Sequence, residues 1–353
     1  MQLQTWTIQG RGAFHFGEHG IGQEASRITW PSDSLFAALI ARLVALRGAD
    51  GVEAWLGTSE QPQTPPFLLT STFPYAGEVR FFPLPRAALR GDASPSSEWR
   101  PKDLKKVRFV SESIYRALLD GTPLAAILQQ SPKTLHDRTV LLTPQEFKTL
   151  PGKIRAGKQP IWSVAKRPRV AVGRVSSSSN LFHVGAVRFA EGCGLWFGMQ
   201  WLTQDKAQHA LLKSLLEDLG DAGLGAERSS GYGQAKIKAG DILTLPDPDG
   251  RAWTTLSRYL PAEDETPALH TETAAYTLER VGGWMDSHGL RRRAVNLLAE
   301  GAVLGPLDKP TPYGCAVDVR PVPQKEKGDT FAPVLHPVWR VGMAVAVGYG
   351  GVA

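Results

Sequence analysis

Two amphipathic helices interleaved with strand-like segments constrain this chain more than any other feature. Leu3 to Phe16 contains alternating, strand-like stretches, and Pro31-Ser32-Asp33-Ser34 then supplies helix-starting residues ahead of LFAALIARLVAL, which should stop at Gly48. Asp205 opens the second helix, whose Leu211, Leu212, Leu215, Leu216 and Leu219 share one face before Gly220. Between the helices, RVAVGRV (169–175), LFHVGAVRF (181–189) and GLWFGMQWL (194–202) read as strands, and QAKIK (234–238) follows the second helix. The order β-α-(insert)-β-β-α-β predicts an α+β, ferredoxin-like arrangement, with a helix pair on one face of a four-stranded antiparallel sheet.

The segments outside this frame are less regular. Thr58 to Pro85 is proline-rich and polar until VRFFPLP, and Arg86 to Pro101 has little periodicity, so both read as an exposed excursion. A short strand (Val107 to Val110) and two short helices, near Ser113 to Leu119 and from Pro123, follow. Asp241 to Thr273 is acidic and proline-containing, as a junction would be. The expected domains are therefore 1–240, with an insertion near 58–168, and a smaller unit over 241–353 of similar type. The second unit would use AYTLERV, AVNLLAEGAVL, CAVDVRPV and VWRVGMAVAV.

Charge points to the class of partner. The net charge of +6 and pI near 9.3 suit a polyanion without requiring one. From Phe147 to Ala190 there is no Asp or Glu, yet nine Lys and Arg residues, Arg167, Arg169 and Arg174 among them. Phosphate binding is the functional reading of this stretch, and a solvated basic loop the structural one. Lys105 and Lys106 belong to a smaller cluster, and Arg291-Arg292-Arg293 follows Gly282-Gly283 and Gly289. The loop GLGAERSSGYG (223–233) is the most pointed local signal. Gly225, Gly231 and Gly233 can take positive φ and let a ligand approach the backbone; Arg228, Ser229 and Ser230 can bond phosphate oxygens, and Tyr232 can stack on a base. It is not a Walker loop, because it lacks the GK[ST] ending and joins a helix to a strand.

Catalytic patterns are thin. Cys193 and Cys315 lack metal-ligand spacing, no metal or cofactor motif is present, and GxSxG and HExxH are absent. His15, on the edge of the first strand, is the one candidate general base for a ribose 2′-hydroxyl; a packing or RNA-contacting His is the simpler reading. The longest apolar run, Leu35 to Leu46, is broken by Arg42, which predicts a cytoplasmic protein with no membrane span.

Taken together, FHFGEHG, PSDSLFAALIARL, FFPLPRA, PKDLKKVRFVSESIYRALLDG, RVAVGRVSSSSNLFHVGAVRF, GLGAERSSGYGQAKI and GGWMDSHGLRRRAVNLLAEGAVL resemble, in this order, a RAMP subunit of type III-A CRISPR effector complexes, the fourth Csm subunit. The resemblance implies two tandem ferredoxin-like (RRM-like) RAMP domains, with an inserted thumb somewhere in 80–108. It implies a non-catalytic, antiviral ribonucleoprotein role: holding the 5′ handle of the crRNA, contacting the large palm-domain subunit and the RAMP backbone subunit, with target RNA nearby. Ser32, Ser34 and His15 join the expected RNA-facing residues on this ground. Two alternatives remain open at this point: a metal-independent endoribonuclease of the RAMP type processing repeat RNA, and the equivalent handle-binding subunit of a type III-B or III-D complex. The aromatic RNP1 pattern is missing, so RNA should be held by loops and a basic cleft rather than stacked across the sheet.

Overall fold

The computed structural model describes all residues except 18–24, 59, 91–98, 173–178, 286–288, 323–333, 335 and 352–353. Strand β1 (Gln2–Gly10) leads to helix α1 (Ser32–Leu56), which is broken at Gly48 (φ 71°) where the sequence pattern placed its end, and then resumes. Short strands β2 (Phe67–Leu69), β3 (Phe73–Ala76), β4 (Val79–Pro83) and β5 (Phe109–Ser111) follow, with α2 (Pro101–Leu104) before β5. Next come α3 (Glu112–Leu119), α4 (Leu124–Gln129), β6 (Lys133–Leu135), β7 (Val140–Leu142), α5 (Pro144–Thr149) and α6 (Gly152–Arg155). Strands β8 (Trp162–Val172), β9 (Ser179–Phe189) and β10 (Cys193–Trp201) precede α7 (Lys206–Ala222) and β11 (Ala235–Thr244).

The main sheet runs β11-β1-β10-β3-β4-β5-β7-β6, with β2 also on β10. Its first part has the ferredoxin-like order, and α1 and α7 pack together beside it. Leu35, Phe36, Leu39 and Leu43 of α1 and Leu212, Leu215, Leu216 and Leu219 of α7 are all buried in one core. Trp55 Nε1 donates to Gln208 across the helix pair at 2.8 Å. β10 is buried along Cys193–Met199, and Trp196 meets Phe82, which stacks on Tyr115 of α3 at 4.6 Å.

The structure reassigns two segments. The second sheet strand is not 169–175 but the proline-flanked pair β2 and β3, in the stretch read as an excursion. β8 and β9 instead pair with each other from Trp162↔Phe189 to Val172↔Ser179, a long ribbon outside the main sheet. Segment 80–108, expected to hold a thumb, contributes β4 to the main sheet. The physical reason is that strand propensity marks a segment as extended but does not choose its partner.

Beyond residue 250 the strands are short: β12 (Trp253–Thr255), β13 (Leu278–Val281), β14 (Val295–Leu298), β15 (Val303–Leu304), β16 (Ala316–Asp318), β17 (Trp339–Val341) and β18 (Ala346–Gly348). They form the sheets β15-β12-β18, β13-β14 and β16-β17. AVNLLAEGAVL is thus a strand, a turn and a strand. Trp253, Tyr259 and Tyr313 make the centre of a separate core. Buried Glu265 organises its edge by accepting from Tyr259 Oη (2.7 Å) and the N–H groups of Ala262 (2.8 Å) and Gly314 (2.9 Å). This region docks where β2 gives way to β3, Ser71 N–H donating to Leu256 O at 2.9 Å.

Candidate nucleic-acid interface

The glycine loop after α7 is stitched to the segment that follows β1. Gly233 N–H donates to Ala13 O and Ala226 N–H to His15 O, both at 2.9 Å. Gly225, Gly231 and Gly233 all have positive φ, as expected, but in different surroundings. A Cβ on Gly225 would sit 2.5 Å from His15 O, and one on Gly233 would strike the Leu224 backbone, whereas Gly231 faces open space. Gly231 alone of the three leaves room for a ligand to approach.

Between Glu227 and Gly231, both left-handed, a 3-10 turn presents Arg228, Ser229 and Ser230 to solvent. That turn divides two cavities. The larger, about 890 Å³, lies between the loop, the start of α1 and the β13–β14 hairpin. Its lining includes seven arginines (27, 42, 228, 258, 280, 292 and 340) against two carboxylates, Glu227 and Glu279. The smaller, about 290 Å³, is lined by Arg167, Arg169, Arg188, Ser230, Gly231 and Tyr232. Arg167 and Arg169 are two apart on β8 and so share a face of the ribbon.

Several expected site residues turn out to be structural. His15 is 3 % exposed and its Nδ1 bonds Gly185 O at 2.8 Å, so the base named for the ribonuclease reading is not accessible. Ser32 is buried, accepting from Arg258 N–H (2.9 Å) and donating its own N–H to Ser71 Oγ (2.8 Å). Tyr232 is 5 % exposed under the Arg169 guanidinium, 5.3 Å from the ring centre, so it cannot stack on a base. Arg169 also lies 3.8 Å from Glu227. Lys105 and Lys106 line neither cavity, and Lys106 pairs with Asp137 at 2.9 Å. Ser34 and Arg292 do line the larger cleft. Arg291 lies over the exposed Trp284 ring at 4.6 Å, and Arg293 turns to Asp318 O. Arg174 lies outside the described residues.

The sequence reading missed the floor of the larger cleft. Asp33, fully buried at the first turn of α1, accepts from Arg258 (3.2 Å) and Arg340 (2.6 Å), and Arg258 also reaches Glu279, which holds Arg27 at 2.8 Å. Burial acts to raise the Glu279 carboxyl pKa, but Arg27 and Arg258 more than offset it and hold the group below its ordinary value. The available signal was a single arginine inside each of two apolar runs, WTTLSRYL and VWRVGM, a pattern that calls for a buried partner. Among the described residues no group of three or more His, Cys, Asp or Glu side chains could hold a metal. The arrangement can bind a chain of phosphates along an arginine-lined channel with main-chain access at Gly231.

Comparison with known proteins agrees with the geometry. Residues 248–349 match the family model of the CRISPR Csm4 C-terminal domain. The chain is 28 % identical to the CRISPR system Cms protein Csm4 of Mycobacterium tuberculosis (strain ATCC 25618 / H37Rv), over 82 % of this chain and 84 % of that one. Its fold resembles a chain in the crystal structure of the Csm3–Csm4 subcomplex of the type III-A CRISPR-Cas interference complex, with TM-score 0.64, 18 % identity and coverage of 98 % and 99 %. It also resembles one in the Csm1–Csm4 cassette with cA4, with TM-score 0.58, 16 % identity and full coverage of both chains. The α+β architecture is that of these solved Csm4-containing subcomplex chains, and the chain is similar to Csm4 proteins of CRISPR systems over most of its length.

Proposed function

We propose that this chain is a non-catalytic scaffold of a type III-A CRISPR interference complex, and that its larger cleft holds the repeat-derived 5′ handle of the crRNA. The observation that carries the reading is the exposed turn Arg228–Ser230, which with the exposed Arg280 walls a cleft whose arginines 27, 42, 258 and 340 are already paired with carboxylates. Arginine suits the task because its planar fork binds phosphate oxygens in pairs. Ser34, Arg228, Ser229, Arg292 and the backbone at Gly231 are the proposed contacts, with Arg167 and Arg169 extending them into the smaller cavity.

The solved relatives are named as subcomplexes with Csm1 and with Csm3, which supports a large palm-domain subunit and a RAMP backbone subunit as this chain's partners. The β8–β9 ribbon takes over the thumb role expected of 80–108: its outer face exposes Val164, Val170, Val172 and Leu181 and would lie near the guide and target RNA. The two-domain division near residue 240 belongs to the same reading. Its test is binding of crRNA variants to the assembled complex. Replacing the handle should weaken binding at least tenfold while replacing the spacer leaves it unchanged; equal losses would leave only a general RNA binder. A time course on labelled crRNA, with and without divalent metal, should give no products.

A further inference from the structure

Beyond Arg27 and Glu279, on the side of the large cleft that carries none of the glycine loop, lies a third and much smaller cavity of about 70 Å³. Arg27, Arg86 and Arg108 line it together with Glu279 and Glu300. Glu279 is committed to Arg27 and Arg258, while Glu300 accepts from Ser71 Oγ and keeps a charge that opposes the arginines only in part. Among the described residues, Arg86 and Arg108 make no ion pair with a carboxylate. Both are fixed by their backbones, Arg86 N–H donating to Gly301 O (2.8 Å) and Arg108 N–H to Thr139 O (2.9 Å). Partial burial, and then the neighbouring Arg27 and Arg86, push the Arg108 guanidinium below its ordinary pKa. Three like charges therefore crowd a space that holds roughly two water volumes, which fits a tetrahedral oxyanion and excludes a nucleobase.

We propose that Arg27, Arg86 and Arg108 form a pocket for a single phosphate group, adjoining the cleft through the shared residues Arg27, Pro31 and Glu279. This rests on the cleft being an RNA site only in its RNA form; the pocket itself would take inorganic phosphate without it. An internal phosphodiester, a 5′-terminal phosphate and free phosphate share the chemistry, and the experiment separates them.

The probe set is inorganic phosphate, crRNA with a 5′-hydroxyl and crRNA with a 5′-phosphate, applied to the full chain and to Arg86→Gln/Arg108→Gln. Neither residue has an ion pair to lose among the described residues, and melting temperatures without ligand check that the fold is kept. If the pocket holds an RNA phosphate, the double variant lowers the log–log salt slope of crRNA binding by about 0.7. The loss appears with both RNAs for an internal phosphodiester and only with the 5′-phosphorylated one for a terminal group. Free phosphate shows instead as a rise in melting temperature that the variant abolishes. Unchanged slopes together with no phosphate-dependent melting shift overturn the pocket. Arg228→Ala is the separate control: if it lowers the slope and Arg86→Gln/Arg108→Gln does not, the cleft reading stands and this one falls. If Arg228→Ala is silent while phosphate still stabilises the parent and not the variant, the cleft reading falls and the pocket stands.

Discussion

On one side of the large cleft, Arg258 and Arg340 are about 4 % exposed and close on the buried carboxylate of Asp33. On the other side Arg228 stands in solvent on a turn flanked by two left-handed residues. Both sides are arginine-rich, but they have opposite energetics. A buried charge is tolerated only with its partner, so the first set fixes how the C-terminal region sits on α1. A contact made by an exposed arginine contributes little to the fold. Counting arginines overstates the proposed RNA site, and sorting them by burial narrows it.

The sharpest way to break this distinction is to remove Asp33. Asp33→Ala leaves two buried guanidiniums facing each other and should cost about 3–5 kcal/mol in urea unfolding. The triple change Asp33→Leu, Arg258→Met, Arg340→Met should cost less than Asp33→Ala alone, because no charge is then left unpaired. A loss under about 1 kcal/mol for Asp33→Ala would show that the arginines reach water and that the two sides are alike.

The glycine loop offers the same contrast at smaller amplitude. Gly225→Val meets the His15 carbonyl and Phe16 as well as a forbidden φ, so it should destabilise the fold by about 1–3 kcal/mol of strain plus the collision. Gly231→Val meets only the backbone penalty, about 1 kcal/mol, yet blocks the open face of the loop. The first variant should lower the melting temperature most; the second should mostly lose crRNA. Equal melting shifts, with crRNA binding retained in Gly231→Val, would remove the loop from the RNA path.

On the exposed side, Arg228→Ala should lower the salt slope of crRNA binding by roughly 0.7 with unfolding unchanged. Arg167→Ala/Arg169→Ala should lower it by one contact or more, since both line the smaller cavity. Lys148→Ala should change nothing, because Lys148 sits on α5 and lines neither cavity. The acid-free stretch is thus divided by the fold, Lys148, Lys153 and Arg155 on α5 and α6 and Lys166, Arg167, Arg169 and Arg188 on the ribbon.

These contrasts also mark what a sequence can and cannot show. α1, α7 and the loop between α7 and β11 were legible because helical periodicity, a capping Asp205 and glycines at positive φ are local properties. β2 and β3 were not, because strands of three and four residues, one preceded by Pro66 and the other containing Pro74, carry almost no periodic signal. β8 and β9 were read as strands but given the wrong partners. Asp33 was visible only as a helix-start residue; its role depends on arginines 225 and 307 positions away. Tyr232 was misread for the same reason, since the guanidinium that covers it comes from β8.

A third kind of group, half-buried and uncharged, gives the smallest effect and tests whether burial alone sorts function. His136 begins a turn in which Arg138 and Asp137 share its positive φ. Its ring stacks on Trp162 at 3.7 Å, and its Nε2 accepts the Ile161 N–H at 3.1 Å, a bond that requires the neutral ring. Burial lowers its pKa to about 4 from the ordinary 6.5. The unfolded chain therefore binds this proton more readily than the folded one. The stability tied to the neutral ring is complete above pH 6.5 and is lost as pH falls toward 4. Discounted for the ring's partial exposure, the loss should be on the order of 1 kcal/mol. His136→Phe keeps the stacking face and should flatten unfolding free energy over that window, while leaving crRNA binding at neutral pH unaltered. The acid loss from Glu279, whose carboxylate protonates only below its ordinary range, should persist in this variant. If His136→Phe instead weakens crRNA binding at neutral pH, the β6–β7 turn joins the RNA path and burial ceases to be a sufficient guide.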